Sequence, residues 1–342
     1  MRRSFWIVLV LGVLALLALS GCSLLGSSAA AEAGPSATAT QVPPTAIPPT
    51  ATSVHQEVPG ELPAEHSSLA GDYDSSRTAQ QRRAPGGDRF TFDRFERPFN
   101  ADTMDVYYPY LDIQQSVVYQ DDTWIFAVIT LKDWDENQTL PGRYAAEFDI
   151  DQDGRGDWLV LVDAPTGTDW TTDGVSVWYD SNNDVGGATP VDADQDAYSD
   201  GYETQAFGNG QGDDPDMAWA RLDPQEAHTV QLAVKNTILD GDQDYMVGMW
   251  AGGALLEPAS FDLNDRFTHE QAGAAQTEFE YFYPIKALDQ LDNSCRTAVG
   301  FTPSGDEPGL CPTAGKESNA CTPDQFVCYY IGQREVCLCM GN

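Results

Sequence analysis

Trp124-Ile125-Phe126-Ala127-Val128-Ile129-Thr130-Leu131 is the run that decides the fold. Four of its residues are β-branched and two are aromatic. Such side chains lose rotamer freedom in a helix but pack well on a pleated surface. Val175-Ser176-Val177-Trp178-Tyr179 and Val230-Gln231-Leu232-Ala233-Val234 alternate with a period of two, the mark of a strand with two unlike faces. Leu111–Tyr119, Arg143–Ile150, Trp158–Asp163, Tyr245–Trp250 and Glu278–Pro284 complete the set of strand candidates, with Thr123–Leu131 and Thr229–Val234 as the bounds of the first and third runs. Clusters of Gly, Asp, Asn and Pro separate them, and no stretch sustains a capped helical period for three turns. The chain is therefore expected to be all-β. Residues 89–294 would form an antiparallel β-sandwich with Asp-rich loops, a plausible size for one unit.

The ends differ from this middle. Arg2 and Arg3 precede an apolar run from Phe5 to Leu19, too short and wrongly flanked for a spanning helix and right for an export signal. The following Leu19-Ser20-Gly21-Cys22 resembles the lipobox of bacterial lipoproteins. That resemblance implies a leader over residues 1–21, lipidation of Cys22, and a lipid-anchored place in the bacterial cell envelope, outside the cytoplasm. Residues 22–88 are rich in Ala, Ser, Thr, Pro and Gly, as in Pro48-Pro49-Thr50-Ala51-Thr52. Such a composition buries too little apolar surface to fold and predicts a disordered tether. A coil of that length reaches ~45 Å.

Eighteen Lys and Arg stand against 53 Asp and Glu, a net charge of −35. This balance excludes nucleic acid as a partner and makes contact with anionic headgroups depend on the lipid anchor. The acids are mostly Asp and cluster in short loops, where short-stemmed carboxylates suit a hard cation such as calcium. Asp149, Asp151, Asp153 and Asp157 lie around Gly154, which permits the turn that would let alternate side chains converge. Asp192, Asp194, Asp196, Asp200 and Glu203, with the carbonyl of Tyr198, match positions 1, 3, 5, 9, 12 and 7 of an EF-hand loop. Position 6 is Ala197 rather than Gly, and flanking helices are missing from the pattern, which favours a calcium loop outside a helical pair. Asp180–Gly186 and Asp240–Asp244 are better explained by ordinary turn chemistry.

Apart from Cys22, the cysteines are Cys295, Cys311, Cys321, Cys328, Cys337 and Cys339. An even set in an exported chain predicts disulfides, and residues 295–342 are expected to form a small disulfide-rich module. Gly332-Gln333 suits a two-residue hairpin turn, and the resulting register places Cys328 opposite Cys337 at a site close enough for a bridge.

Trp134 and Trp170 fall in polar loop contexts, where exposed rings stack on sugars. Catalytic signals are poor: the four histidines lack metalloprotease spacing and no Gly-x-Ser-x-Gly elbow occurs. Tyr108-Pro109-Tyr110-Leu111-Asp112-Ile113, Tyr144–Asp157 and Asn293-Ser294-Cys295-Arg296 resemble part of a domain found in bacterial surface lipoproteins. More loosely, the strand pattern with acidic loops is similar to DOMON domains and family-9 carbohydrate-binding modules. These resemblances imply a binding role toward extracellular polysaccharide rather than an enzyme. A surface polysaccharide hydrolase, or a structural or adhesive protein that binds another surface protein, are the alternatives. No residue matches the haem ligands of such domains.

Overall fold

The computed structural model describes residues 55–81, 95–100, 105–185, 200–253, 256–260, 290–304, 307–311, 326–331 and 334–339; for the last two ranges it describes the backbone alone. Strands are numbered in chain order. β1 (Ser68–Gly71), β3 (Ile113–Gln120), β4 (Trp124–Leu131), β10 (Ala218–Leu222) and β11 (Thr229–Lys235) form one antiparallel sheet in the order β1-β3-β4-β11-β10. The second sheet runs β2-β13-β12-β5-β6-β7-β8-β9, with β14 also on β12. Its strands are β2 (Glu96–Arg97), β5 (Arg143–Asp149), β6 (Trp158–Asp163), β7 (Val175–Tyr179), β8 (Thr204–Gly208), β9 (Gln211–Gly212), β12 (Tyr245–Gly252), β13 (Leu291–Asn293) and β14 (Thr297–Val299). The protein is all-β, and its two sheets form a sandwich. Among the described residues no helix is long and apolar enough to cross a membrane.

Alternation fixes which side chains fill the space between the sheets. Ile125, Ala127, Ile129 and Leu131 of β4 meet Tyr144, Ala146 and Phe148 of β5, with Val160, Val162, Val230, Leu232, Val247 and Met249 in the same cluster. The odd-numbered residues of β5 and β6 point the other way, yet Ala145, Leu159 and Leu161 are buried as well, with Phe95, Trp250 and Leu256. Both outer faces are therefore covered. This is why β4 and β5 are buried along almost their whole length and not merely on alternate residues.

The cover of the five-stranded sheet corrects the expected domain boundary. Residues 55–81 belong to the folded unit and not to a tether ending at Asp88. β1 pairs with β3 from Ser68–Val118 to Gly71–Gln115. Leu62 packs on the cluster of Trp124, Phe126 and Trp219, and the His55 ring lies edge-on to Trp219 at 4.7 Å. The composition of this segment is poor in apolar residues, so polar contacts hold it. His55 Nδ1 lies 2.7 Å from Asp216 Oδ1, while the N–H groups of Gln56 and Glu57 donate to Asp216 Oδ2 at 2.8 and 2.9 Å. Lys235 Nζ bridges Glu57 and Asp214.

The boundary at Cys295 also moves. β14 lies beyond it and pairs with β12, so the sandwich runs past Cys295 to at least Val299. Cys295 and Cys311 form a disulfide. β15 (Phe326–Ile331) and β16 (Arg334–Cys339) pair as a hairpin, with Cys328 opposite Cys337 in the expected register. Cys22, Cys321 and the Glu278–Pro284 strand candidate lie outside the described residues. The bonding of Cys328, Cys337 and Cys339 lies outside the described side chains. β1, β2, β8, β9, β10, β13 and β14 have no counterpart among the predicted strands. Ala218-Trp219-Ala220-Arg221-Leu222 and Thr204-Gln205-Ala206-Phe207-Gly208 are too rich in small and polar residues to signal a strand by composition.

Asp216 is the keystone of the N-terminal strap. Burial raises its carboxyl, but the Gln56 and Glu57 N–H groups and the His55 ring outweigh that and hold it below its ordinary value of 3.8. Its contribution is complete above that ordinary value and disappears as pH falls through the depressed folded one. Asp216→Ala should cost about 2 kcal/mol, the scale of a hydrogen bond to a charged group. Hydrogen exchange at residues 55–60 should accelerate in the variant at neutral pH, and in the unmodified chain only in acid.

Candidate metal centre

The turn between β5 and β6 builds itself from its own carboxylates. Phe148 and Trp158 are the last pair of the ladder, and the Asp157 N–H closes the loop on the Phe148 carbonyl at 2.8 Å. Within it, Gly154 N–H donates to Asp149 Oδ2 at 2.9 Å, Asp153 N–H to Asp151 Oδ1 at 3.2 Å, and Arg155 N–H to Asp153 Oδ1 at 2.8 Å. Gln152 and Gly154 adopt φ of 61° and 94°. Gly154 is required twice over, since a Cβ there would also lie 2.5 Å from Pro308.

One carboxylate oxygen from each of Asp149, Asp151 and Asp153 lies within 4.8 Å of the other two. That span suits a hard cation with oxygen ligands at ~2.3–2.6 Å. Asp151 and Asp153 are exposed, whereas Asp149 has 0% exposure and its Oδ1 is enclosed without a hydrogen-bond donor. A carboxylate in that state is costly unless something neutralises it. Burial pushes the Asp149 carboxyl up to about 7, against the Arg296 charge and the Gly154 N–H, with Asp153 and Asp157 adding repulsion. Burial and the Asp153 charge raise Asp151 also.

Asp157 does not join this group. Its Oδ2 accepts from the Ile150 N–H at 2.6 Å, so it braces the base of the loop rather than the apex. Of the four acids expected to converge here, three do. From the Asp192–Glu203 loop, residues Asp192, Asp194, Asp196 and Tyr198 lie outside the described residues. Glu203 accepts from the Ser181 N–H at 2.9 Å and from its hydroxyl, and Asp200 accepts from Asn182 Nδ2 at 3.3 Å.

The Asp180 turn is turn chemistry, as expected. Its carboxylate takes four N–H donors, from Asn182, Asn183, Asp184 and Val185. The same turn is stitched to the acidic loop: Asn183 Nδ2 donates to Asp153 Oδ2 at 3.2 Å, and Arg155 donates to the Val185 carbonyl at 2.6 Å.

Behind the loop sits a buried ion pair that the sequence does not announce. Glu147 and Arg296 are each 2% exposed and 3.3 Å apart. Tyr202 Oη donates to Glu147 Oε1 at 2.9 Å, and Trp250 Nε1 to Oε2 at 3.1 Å. The only sequence signal is a lone Glu within the apolar run Tyr144–Phe148, on the same strand face as Asp149. Gly156 makes room for this group, because a Cβ there would fall 1.8 Å from Tyr202 Oη.

The Cys295–Cys311 disulfide fixes the segment that carries both Arg296 and Pro308. Arg296 N–H donates to the Gly309 carbonyl at 2.9 Å, and Cys311 N–H to the Arg296 carbonyl at 2.7 Å. Pro308 thus buttresses Gly154 at the turn of the acidic loop.

The two candidate sugar-stacking tryptophans have different surroundings. Trp170 carries the Arg221 guanidinium 4.3 Å from its ring centre, packs on Phe126, and donates Nε1–H to the Gly60 carbonyl at 3.1 Å. Trp134 is partly buried, edge-on to His228 at 5.3 Å, in the connection between β4 and β5. The structure does not bring them to the Asp149–Asp153 group through any described contact. No protein-family model, curated protein or solved structure matches the chain.

Glu147→Leu should destabilise the protein by about 3–5 kcal/mol, because it leaves Arg296 as an uncompensated buried charge. The double variant Glu147→Met/Arg296→Met should recover much of that loss, and chemical denaturation of the two variants measures the difference.

Proposed function

We propose that this chain is a lipid-anchored binding protein of the bacterial cell envelope, whose β-sandwich is stabilised by calcium and recognises extracellular polysaccharide. The observation that carries the calcium reading is the convergence of Asp149, Asp151 and Asp153 with Asp149 Oδ1 buried and without a donor. Oxygen-only donors on a loop are the chemistry of a hard cation, and outside the cytoplasm even a weak calcium site fills. The lipobox-like Leu19–Cys22 run supports the anchored location. Trp134, held in a loop with part of its ring exposed, is the group assigned to sugar contact, whereas Trp170 serves to pack the strap.

A cation that binds only the native state stabilises it by mass action, about 2.7 kcal/mol at ~100 times Kd. Calcium should therefore raise the melting temperature of the full chain, and EDTA should abolish the rise. Asp151→Asn/Asp153→Asn should lose the part of the rise that the loop contributes, since both residues are exposed and their replacement leaves the core intact. A melting curve indifferent to calcium and chelator removes the metal reading.

On a polysaccharide panel, Trp134→Ala should abolish binding while leaving the calcium shift in place. Release of soluble sugar from bound polymer would instead identify a hydrolase. Absence of glycan binding together with a specific surface-protein partner would identify an adhesive role.

A further inference from the structure

A second group of acids shares no residue with the loop and is assembled by tertiary contacts alone. Asp72 follows β1, Glu96 opens β2, and Asp292 is the middle residue of β13. Glu96 and Asp292 stand directly opposite each other in the β2–β13 ladder and so share a face. Like charges in that position destabilise a sheet even when exposed. Here Glu96 is 2% exposed and Asp292 0%.

One carboxylate oxygen from each of Asp72, Glu96 and Asp292 lies within 4.8 Å of the other two. Ser75 Oγ donates to Glu96 Oε2 at 2.9 Å, and the Ile113 N–H donates to Asp292 Oδ2 at 2.7 Å. The other Asp292 oxygen, Oδ1, is enclosed and has no hydrogen-bond donor. Burial holds the Asp292 carboxyl far above the ordinary range, and Glu96, Asp72 and Asp112 push it the same way. Lys132 and Arg77 both pair with Asp74. Asp112, also buried, takes the Tyr107 hydroxyl on Oδ2 and Gln114 Nε2 on Oδ1.

We propose that Asp72, Glu96 and Asp292 hold a second, buried divalent cation, which ties the N-terminal strap and β2 to the sandwich. The donor set is all carboxylate oxygen, without the imidazole or thiolate that selects transition metals, and it fits calcium. Magnesium binds at ~2.0–2.1 Å and keeps several waters, which suits an enclosed site poorly. The ion does for Asp292 what Arg296 does for Glu147. It converts a cross-strand repulsion into a clamp between segments more than 200 residues apart in sequence, from Asp72 to Asp292.

The test counts calcium on the full chain by equilibrium dialysis with elemental analysis. It uses the Asp151→Asn/Asp153→Asn background, so that the loop site is already removed. Adding Asp292→Asn, or separately Glu96→Gln, should lower the content by one equivalent per chain while the far-UV spectrum stays that of the sandwich. Unchanged content in both would overturn the proposal and show that the acids share protons instead. Hydrogen exchange of the unmodified chain decides the matter if either variant fails to fold. Calcium at ~100 times Kd should slow exchange about 100-fold at Asp72–Ser75 and Leu291–Asn293 if opening of that region releases the ion. Protection confined to Asp149–Asp157 would sink the buried site and leave the loop site standing. Protection at Asp72–Ser75 and Leu291–Asn293 alone would do the reverse.

Discussion

A carboxylate taken out of water needs a counter-charge, a set of donors or a proton, and this chain carries 53 acids against 18 basic side chains. The architecture follows from how each buried acid meets that demand. Glu147 has Arg296, Tyr202 and Trp250. Asp180 has four backbone N–H groups, and Asp216 has two with the His55 ring. Asp149 and Asp292 each keep one enclosed oxygen with no donor. Those two are the positions at which we propose a bound cation, and each sits at the junction of an acidic group.

The same demand explains why polar segments fold onto an apolar sandwich. The strap from His55 to Gly71 has little apolar surface to bury, so Asp216, Lys235 and Arg221 grip it through its backbone and charges. On the other sheet, the segment after β13 brings Arg296 beneath Glu147. The disulfide from Cys295 to Cys311 then holds Pro308 against the acidic loop. Closing a loop of this length restricts the unfolded chain by about 3 kcal/mol in the chain-entropy model. The cystine therefore braces the acidic loop of the sandwich.

Much of the fold was legible along the chain. β4, β5, β6, β7, β11 and β12 lie where β-branched and aromatic residues concentrate, and Trp158–Asp163 and Val175–Tyr179 have the expected bounds. Cys328 opposite Cys337 follows from turn length and strand parity, which are local. Asp149, Asp151 and Asp153 were legible for the same reason: a turn between adjacent strands brings i, i+2 and i+4 together without help from elsewhere. Asp157 resembled its neighbours in sequence but differs in role, because the ladder takes its oxygen for the Ile150 N–H. β10 and β14 were not legible. Short strands with small or polar residues exist only because neighbours already supply hydrogen-bond edges and a packed face.

The sequence by itself determined the strand-rich middle, the acidic surface, the turn carboxylates and the lipobox-like start, since each depends on residues a few positions apart. Only the tertiary structure decided that a Pro- and Ser-rich segment is part of the sandwich. It also decided that Glu147 faces Arg296, and that Asp72, Glu96 and Asp292 meet. Those partners are separated by 149 residues in the ion pair and come from three distant segments in the acid group. Local pattern carries no information about which strand will lie opposite. The two-residue period assigns a side chain to a face, and strand order then assigns that face its neighbours.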